Sequence, residues 1–169
     1  MKDWNEPSRA PDRDKPALYR DLVQSVEALL RDETDAIANL ANAAAAIYHN
    51  LPLLNWAGFY LLHNTTLVLG PFQGRPACVR IPLGRGVCGT AAAERRPIVV
   101  PDVHAFPGHI ACDSESRSEL VVPLTRGGHL IGVLALDSPV PARFDAQDQA
   151  GCESLAAIVA RRLPDAWPA

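Results

Sequence analysis

No run of apolar residues in this chain approaches the roughly 20 that a bilayer-spanning helix requires. The nearest candidate is Ala36 to Gly74, which holds no Asp, Glu, Lys or Arg. Asn39, Asn42, Asn50, Pro52, Asn55 and Asn64 interrupt it, and this excludes a transmembrane reading. A basic excess is also missing. The 16 Lys and Arg stand against 19 Asp and Glu, a net charge of −3. Such a chain has no field to hold phosphates, so nucleic acid is not an expected partner. Met1 to Asp14 is charged, contains prolines and lacks the apolar core of a signal peptide. The expectation is a reducing, cytoplasmic setting, where the four cysteines are more often catalytic, metal-binding or inert than structural bridges. No two of them form C-x₂₋₄-C, the usual spacing of structural zinc sites, although His104, His109 and Cys112 with Cys78 or Cys88 could be drawn together as four donors.

What remains is an ordinary globular composition, 48% hydrophobic and 21% charged, and 169 residues suffice for one domain with a real core. We expect a flexible arm over residues 1–15 and a single domain over 16–165. Leu18, Leu22, Val26, Leu29 and Leu30 follow helical spacing, with Pro16 in the first turn. Thr34 can cap a second helix carrying Ile37, Leu40, Ala41, Ala44, Ile47 and Tyr48. Strand patterns follow at Asn55–Leu62, Thr66–Leu69, Ala77–Ile81, Ile98–Val100, Glu119–Leu124 and His129–Asp137, with Gly127-Gly128 as a hairpin turn between the last two. A short helix is expected over Val87–Arg95, and a final one from about Asp145 with Cys152, Leu155, Ala156, Val159 and Leu163 on one face. The class is α+β: a mainly antiparallel central sheet, terminal helices packed on one face, and a long loop at Pro101–Ser118. Loops of that length in compact domains are usually functional.

Alternation along the first strand puts Trp56, Gly58 and Tyr60 on one face, which reads either as core packing or as an aromatic-walled slot for a small ligand. A polarizable sulfur group would suit such walls. Gly84-Arg85-Gly86-Val87-Cys88-Gly89 matches G-x-G-x-x-G formally, but Pro82 and Pro97 leave no room for a βαβ crossover, so a dinucleotide site is rejected. The same turn sets Cys88 at a helix N-terminus, where free N–H groups favour a thiolate. Cys112 falls in the long loop beside His109 and His104 and is poorly explained as core. Cys152, on an apolar helical stripe, reads as buried and inert. His129, Ile131, Val133, Ala135 and Asp137 share one face of the last strand by alternation, with Asp137 at its end, and Glu119 opens the neighbouring strand. Two carboxyls near a thiol can donate a proton and anchor an ammonium, although strand-end acids are commonly just solvated.

Taken in order, Asn55-Trp56-Ala57-Gly58-Phe59-Tyr60, Gly70-Pro71-Phe72-Gln73-Gly74, Gly84-Arg85-Gly86-Val87-Cys88-Gly89-Thr90, Asp102-Val103-His104, Gly108-His109-Ile110-Ala111-Cys112-Asp113 and Gly132-Val133-Leu134 closely resemble the free methionine-(R)-sulfoxide reductases. The resemblance covers about residues 16–163 and implies a GAF fold with a small enclosed pocket. It implies that Cys112 attacks the sulfoxide, that Cys78 or Cys88 resolves the oxidised cysteine, and that Glu119 or Asp137 protonates the oxygen. Trp56, Tyr60, Ile110, Ala111, Glu119 and Asp137 would contact substrate. It further implies a role in oxidative-stress repair, thioredoxin as external reductant, no metal or organic cofactor, and leaves a homodimer open. Where the family usually carries two acids spaced by one residue, this chain has Ala135 before Asp137. The rival reading is a non-catalytic ligand-binding GAF sensor, since a site short of one acid could bind without turning over.

Overall fold

A computed structural model describes residues 14–110 and 112–164. The expected arm, apart from Asp14 and Lys15, lies outside the described residues, as do residue 165 and Ala111. Helix α1 (Lys15–Leu29) starts at Lys15 with Pro16 in its first turn, where a missing N–H costs nothing. Helix α2 (Ala36–Asn50) is capped by Asp35, not Thr34: the Asp35 carboxylate accepts from the Ala38 amide at 2.8 Å. Asp at this position leaves the Thr34 hydroxyl one residue too early to reach the orphan donors.

Six strands form one antiparallel sheet: β1 (Trp56–His63), β2 (Thr66–Gly74), β3 (Arg80–Pro82), β4 (Ile98–Val100), β5 (Ser118–Arg126) and β6 (His129–Ser138), in the order β3-β2-β1-β6-β5-β4. Helix α3 (Gly86–Glu94) carries the chain from one edge strand, β3, to the other, β4, across one sheet face. Helices α1, α2 and α4 (Ala146–Ala160) cover the opposite face, so the α+β class and the placing of the terminal helices agree with the sequence pattern. Among the described residues no helix is long and apolar enough to cross a membrane.

Of the strands, β2 and β3 depart most from the expected bounds. β2 continues past Leu69 to Gly74 because Gly70 and Pro71 together oppose Phe59, a bulge that lets a proline pass without breaking the ladder. β3 pairs only over Arg80–Pro82; Ala77 to Val79 are irregular, with one further bond from Leu69 N–H to the Val79 carbonyl at 2.9 Å.

Alternation divides the core. Ala57, Phe59 and Leu61 of β1, with Leu134 and Leu136 of β6, point under the helices, joined by Leu120, Val122 and Leu124. Burying each such side chain contributes about 1.5–3 kcal/mol. Trp56, Tyr60, Val133 and Ala135 face the other way, toward α3. Ile131 departs from the expected set. The pairing of β5 with β6 jumps from Leu124–Gly132 to Thr125–Leu130, so Ile131 is an extra residue, and the bulge turns it beneath the helices. Bulges leave no mark in a period-two reading.

Candidate active site

The site lies on the α3 face, where strand register sets side chains in rows. One row runs Gly74, Trp56, Asp137, Glu119, Val100 across β2, β1, β6, β5 and β4. The next runs Phe72, Gly58, Ala135, Val121, Ile98. Glu119 and Asp137 are thus directly opposed carboxyls, beside the Trp56 indole, with Ala135 one row away. A cavity opens over them, roofed by α3 and the Cys112 loop.

The aromatics are arranged differently from the sequence expectation. No slot separates Trp56 from Tyr60. Their rings stack at 5.9 Å over Gly58, and Phe72 stacks on Trp56 from the other side at 5.4 Å. A Cβ on Gly58 would collide with Phe72 and the Trp56 ring, so the glycine is required for the stack itself. The cavity lies beside the stack, whose Trp56 and Tyr60 line it. Tyr60 Oη donates to the carbonyl of Cys78 at 2.8 Å, fixing the β2–β3 turn to the wall.

Cys78 and Cys112 are joined in a disulfide closing 34 residues, with Cα atoms 5.5 Å apart. Cys112 lines the cavity. Cys88 is free and buried at the start of α3, and its Sγ–H points to Glu119 Oε1 at 3.6 Å. The expectation that a helix N-terminus makes Cys88 a thiolate is overturned. Burial, with the Glu119 and Asp137 carboxyls beside it, pushes the Cys88 thiol well above its ordinary range. Cys152 is buried without exposure, its Sγ 3.8 Å from Tyr19 Oη.

The two carboxyls are short of compensating charge. Burial raises Glu119 well above the carboxylate range, and the neighbouring Asp137 adds to it. Burial also lifts Asp137 to about 7, reinforced by the charge of Asp113. The nearest base to Glu119 is His109, 3.9 Å away, and burial lowers the His109 pKa, so it is poorly suited to carry the compensating positive charge. The other histidine, His104, is exposed, bound to Asp102 at 3.0 Å, and does not line the cavity. With Cys78 and Cys112 bridged, two of the zinc donors drawn from sequence are committed elsewhere. Among the described residues no three His, Cys, Asp or Glu gather as a metal would need.

Four residues that sequence reasoning passed over complete the site. Asn55 donates to Asp113 at 3.2 Å and to Ser116 at 3.0 Å, tying the loop to the start of β1, and Ser116 bonds Asp137. Arg85 lines the cavity mouth. Asn55 and Asp113 were inside quoted motifs, but their pairing spans 58 residues and no spacing rule discloses it. Ile110 packs over Gly86, whose φ is +61° and on which a Cβ would come within 3.2 Å of the Ile110 side chain. Ala111 lies outside the described residues. Trp56 Nε1 and Asn55 Oδ1 are buried without a partner, and Trp56, which lines the cavity, could turn its N–H to a ligand's acceptor.

Comparison with known proteins bears on this geometry. The pattern of the GAF domain family matches residues 25–163. A protein named free methionine-R-sulfoxide reductase from Escherichia coli is 53% identical over 149 residues, 88% of this chain and 90% of that one. The chain belongs to the free methionine-R-sulfoxide reductase family of GAF-domain proteins. The Neisseria meningitidis family member, solved in complex with its substrate, superposes with a TM-score of 0.86 at 51% identity, over 89% of this chain and 90% of that one. A Burkholderia vietnamiensis structure described only as a candidate GAF sensor reaches the same TM-score of 0.86 at 56% identity, covering 89% and 96%. The family assignment thus rests on the whole domain, with disulfide, opposed acids and aromatic stack all inside the matched region.

Proposed function

We propose that the chain reduces free methionine (R)-S-oxide to methionine, with Cys112 as nucleophile. The observation that carries this reading is a disulfide whose Cys112 half opens onto a cavity floored by two carboxyls of raised pKa. The Cys112 thiolate attacks the sulfoxide sulfur while Glu119 or Asp137, protonated near neutral pH, gives its proton to the oxygen. The S–O bond breaks, methionine leaves, and the oxygen ends on Cys112 as a sulfenic acid. Cys78 then attacks the Cys112 sulfur and releases water, forming the bridge. Cys78 is favoured over Cys88 as resolving residue because it is already the bonded partner, whereas Cys88 is turned toward Glu119. Cys88 instead donates a hydrogen bond to that acid.

Trp56, Tyr60 and Ile110 give the apolar wall for the methyl–sulfur end, and the unpartnered Trp56 Nε1 can meet a polar group of a free amino acid. Thioredoxin, or a dithiol protein like it, restores the thiols in a reducing compartment, and no metal or organic cofactor takes part. Ala135, which stands beside Gly58 on the cavity side, leaves the proton and ammonium work to Glu119 and Asp137. The sensor reading draws on that missing acid and on the Burkholderia relative.

One assay separates them. Purified protein with dithiothreitol is offered free (R)-sulfoxide, free (S)-sulfoxide and a peptide containing the (R)-sulfoxide, and methionine is measured. Consumption of the free (R) epimer alone is expected. Saturable binding without methionine release would favour the sensor.

A further inference from the structure

The electrons that reopen the Cys78–Cys112 bridge come from outside the chain, and the two sulfurs are presented differently. Cys112 lines the cavity, and Cys78 does not. Cys78 sits in the β2–β3 turn, half-buried, anchored by its carbonyl to Tyr60. The next residue, Val79, is 61% exposed, the most exposed large hydrophobic side chain among the described residues. Next to the bridged sulfur, that side chain is an apolar contact a docked partner can cover. The surrounding segment is also one-signed. Residues 75–85 contain Arg75, Arg80 and Arg85 and no acid, in a chain whose net charge is −3. Arg75 engages Asp113 and Glu115, while Arg80 and Arg85 form no ion pair among the described residues.

We propose that a protein dithiol docks on the 75–85 segment, setting an apolar surface on Val79 and an acidic rim against the arginines, and that its thiolate attacks Cys78 and not Cys112. This rests on the reductase reading above. The attacking thiolate bonds to Cys78 Sγ, and the electron pair of the broken S–S bond leaves on Cys112 Sγ. Cys112 is thereby returned as a thiolate facing the cavity, the form the next substrate needs. The partner's second thiol loses its proton to solvent and attacks the partner's own bonded sulfur, releasing Cys78 as a thiolate. Two electrons pass: the partner ends as a disulfide and the chain as two thiols.

The experiment mixes the oxidised full-length chain with thioredoxin whose second active-site cysteine is serine, so that the mixed disulfide cannot resolve, and maps it by peptide mass spectrometry. Attachment at Cys78 is expected, and attachment at Cys112 would overturn the proposal. Val79→Asp then tests the surface. The KM for thioredoxin should rise at least about fivefold, as loss of a central apolar contact does, with turnover on dithiothreitol unchanged. Arg80→Glu should raise the same KM and flatten its salt dependence. A thioredoxin KM unmoved in both variants, or an equal loss with dithiothreitol, would overturn the docking surface. Trapping needs no sulfoxide turnover, so a chain attacked at Cys78 that never yields methionine defeats the reductase reading, while attack at Cys112 in an active chain defeats this inference alone.

Discussion

Asp148, beneath the helices, and Glu119, beneath the α3 crossover, are both carboxyls withdrawn from water on opposite faces of one sheet, and their surroundings have little in common. Asp148 has no exposure and is fully partnered: Lys15 at 2.6 Å, Arg143 and Tyr19 each at 2.9 Å, and the Asp145 amide at 2.9 Å. These bonds join the start of α1 and the loop after β6 to α4, and the Asp145–Asp148 capping box opens that helix. Glu119 has a thiol at 3.6 Å, a histidine at 3.9 Å, and another acid across the strand pair. A buried charge with every lone pair engaged is a fastener. One left without compensation holds its proton near neutral pH and can give it to a substrate. The contrast separates a buried acid that fastens the fold from one whose surroundings suit the proton transfer proposed above, without reference to any relative.

That contrast can be broken by mutation, most severely at the sulfur it serves. Cys112→Ser should cut methionine formation by at least about 10³-fold with the fold intact by circular dichroism, because the nucleophile is gone. Glu119→Gln should lower turnover by about 10²- to 10⁴-fold, the usual span for a lost general acid, and leave stability equal or higher. Asp148→Ala should do the reverse. It strands Arg143 and Lys15 and should cost about 3–5 kcal/mol in urea unfolding, while the folded fraction turns over normally. An Asp148 variant that stays stable, or a Glu119 variant that unfolds, would erase the distinction.

pH supplies a finer probe. The folded Asp137 pKa of about 7 stands above its ordinary 3.8, so between those values the native state keeps a proton that the unfolded chain has lost. Stability should therefore fall as pH rises from about 4 to 7, with a slope from this group of at most about 1.4 kcal/mol per pH unit. Asp137→Asn should remove that slope in denaturant titrations at stepped pH. Turnover should decline as pH rises through and beyond 7, as the two acids lose their protons. Cys152→Ala is expected to be the mildest change: turnover within about twofold of wild type and a stability loss of about 1–2 kcal/mol from the small cavity.

Much of this arrangement was legible in the residues because period two is a strong signal. It placed Trp56, Gly58 and Tyr60 on one face and set Glu119 and Asp137 at strand ends, while helical spacing put Cys152 in the helix-covered core. It failed where the backbone adds a residue: the bulges at Gly70–Pro71 and Ile131 lengthened β2 and turned Ile131 over. It also could not weigh burial against a helix dipole at Cys88, since the depth of α3 depends on the crossover from β3 to β4. The Asp148 cluster was illegible for another reason. Its members, Lys15, Tyr19, Arg143 and Asp148, come from two distant stretches, and only the packing of α1 on α4 makes them one group.

A single turnover tests the central claim most directly. The reduced protein is mixed with an equimolar amount of free methionine (R)-S-oxide and no reductant, and both the methionine and the cysteine-containing peptides are quantified. One methionine per chain with a matching Cys78–Cys112 bridge is expected, and Cys78→Ser should stop the chain at a sulfenic acid on Cys112 that dimedone captures. Methionine appearing while Cys112 stays a free thiol, or the bridge forming at the same rate without sulfoxide, would contradict it.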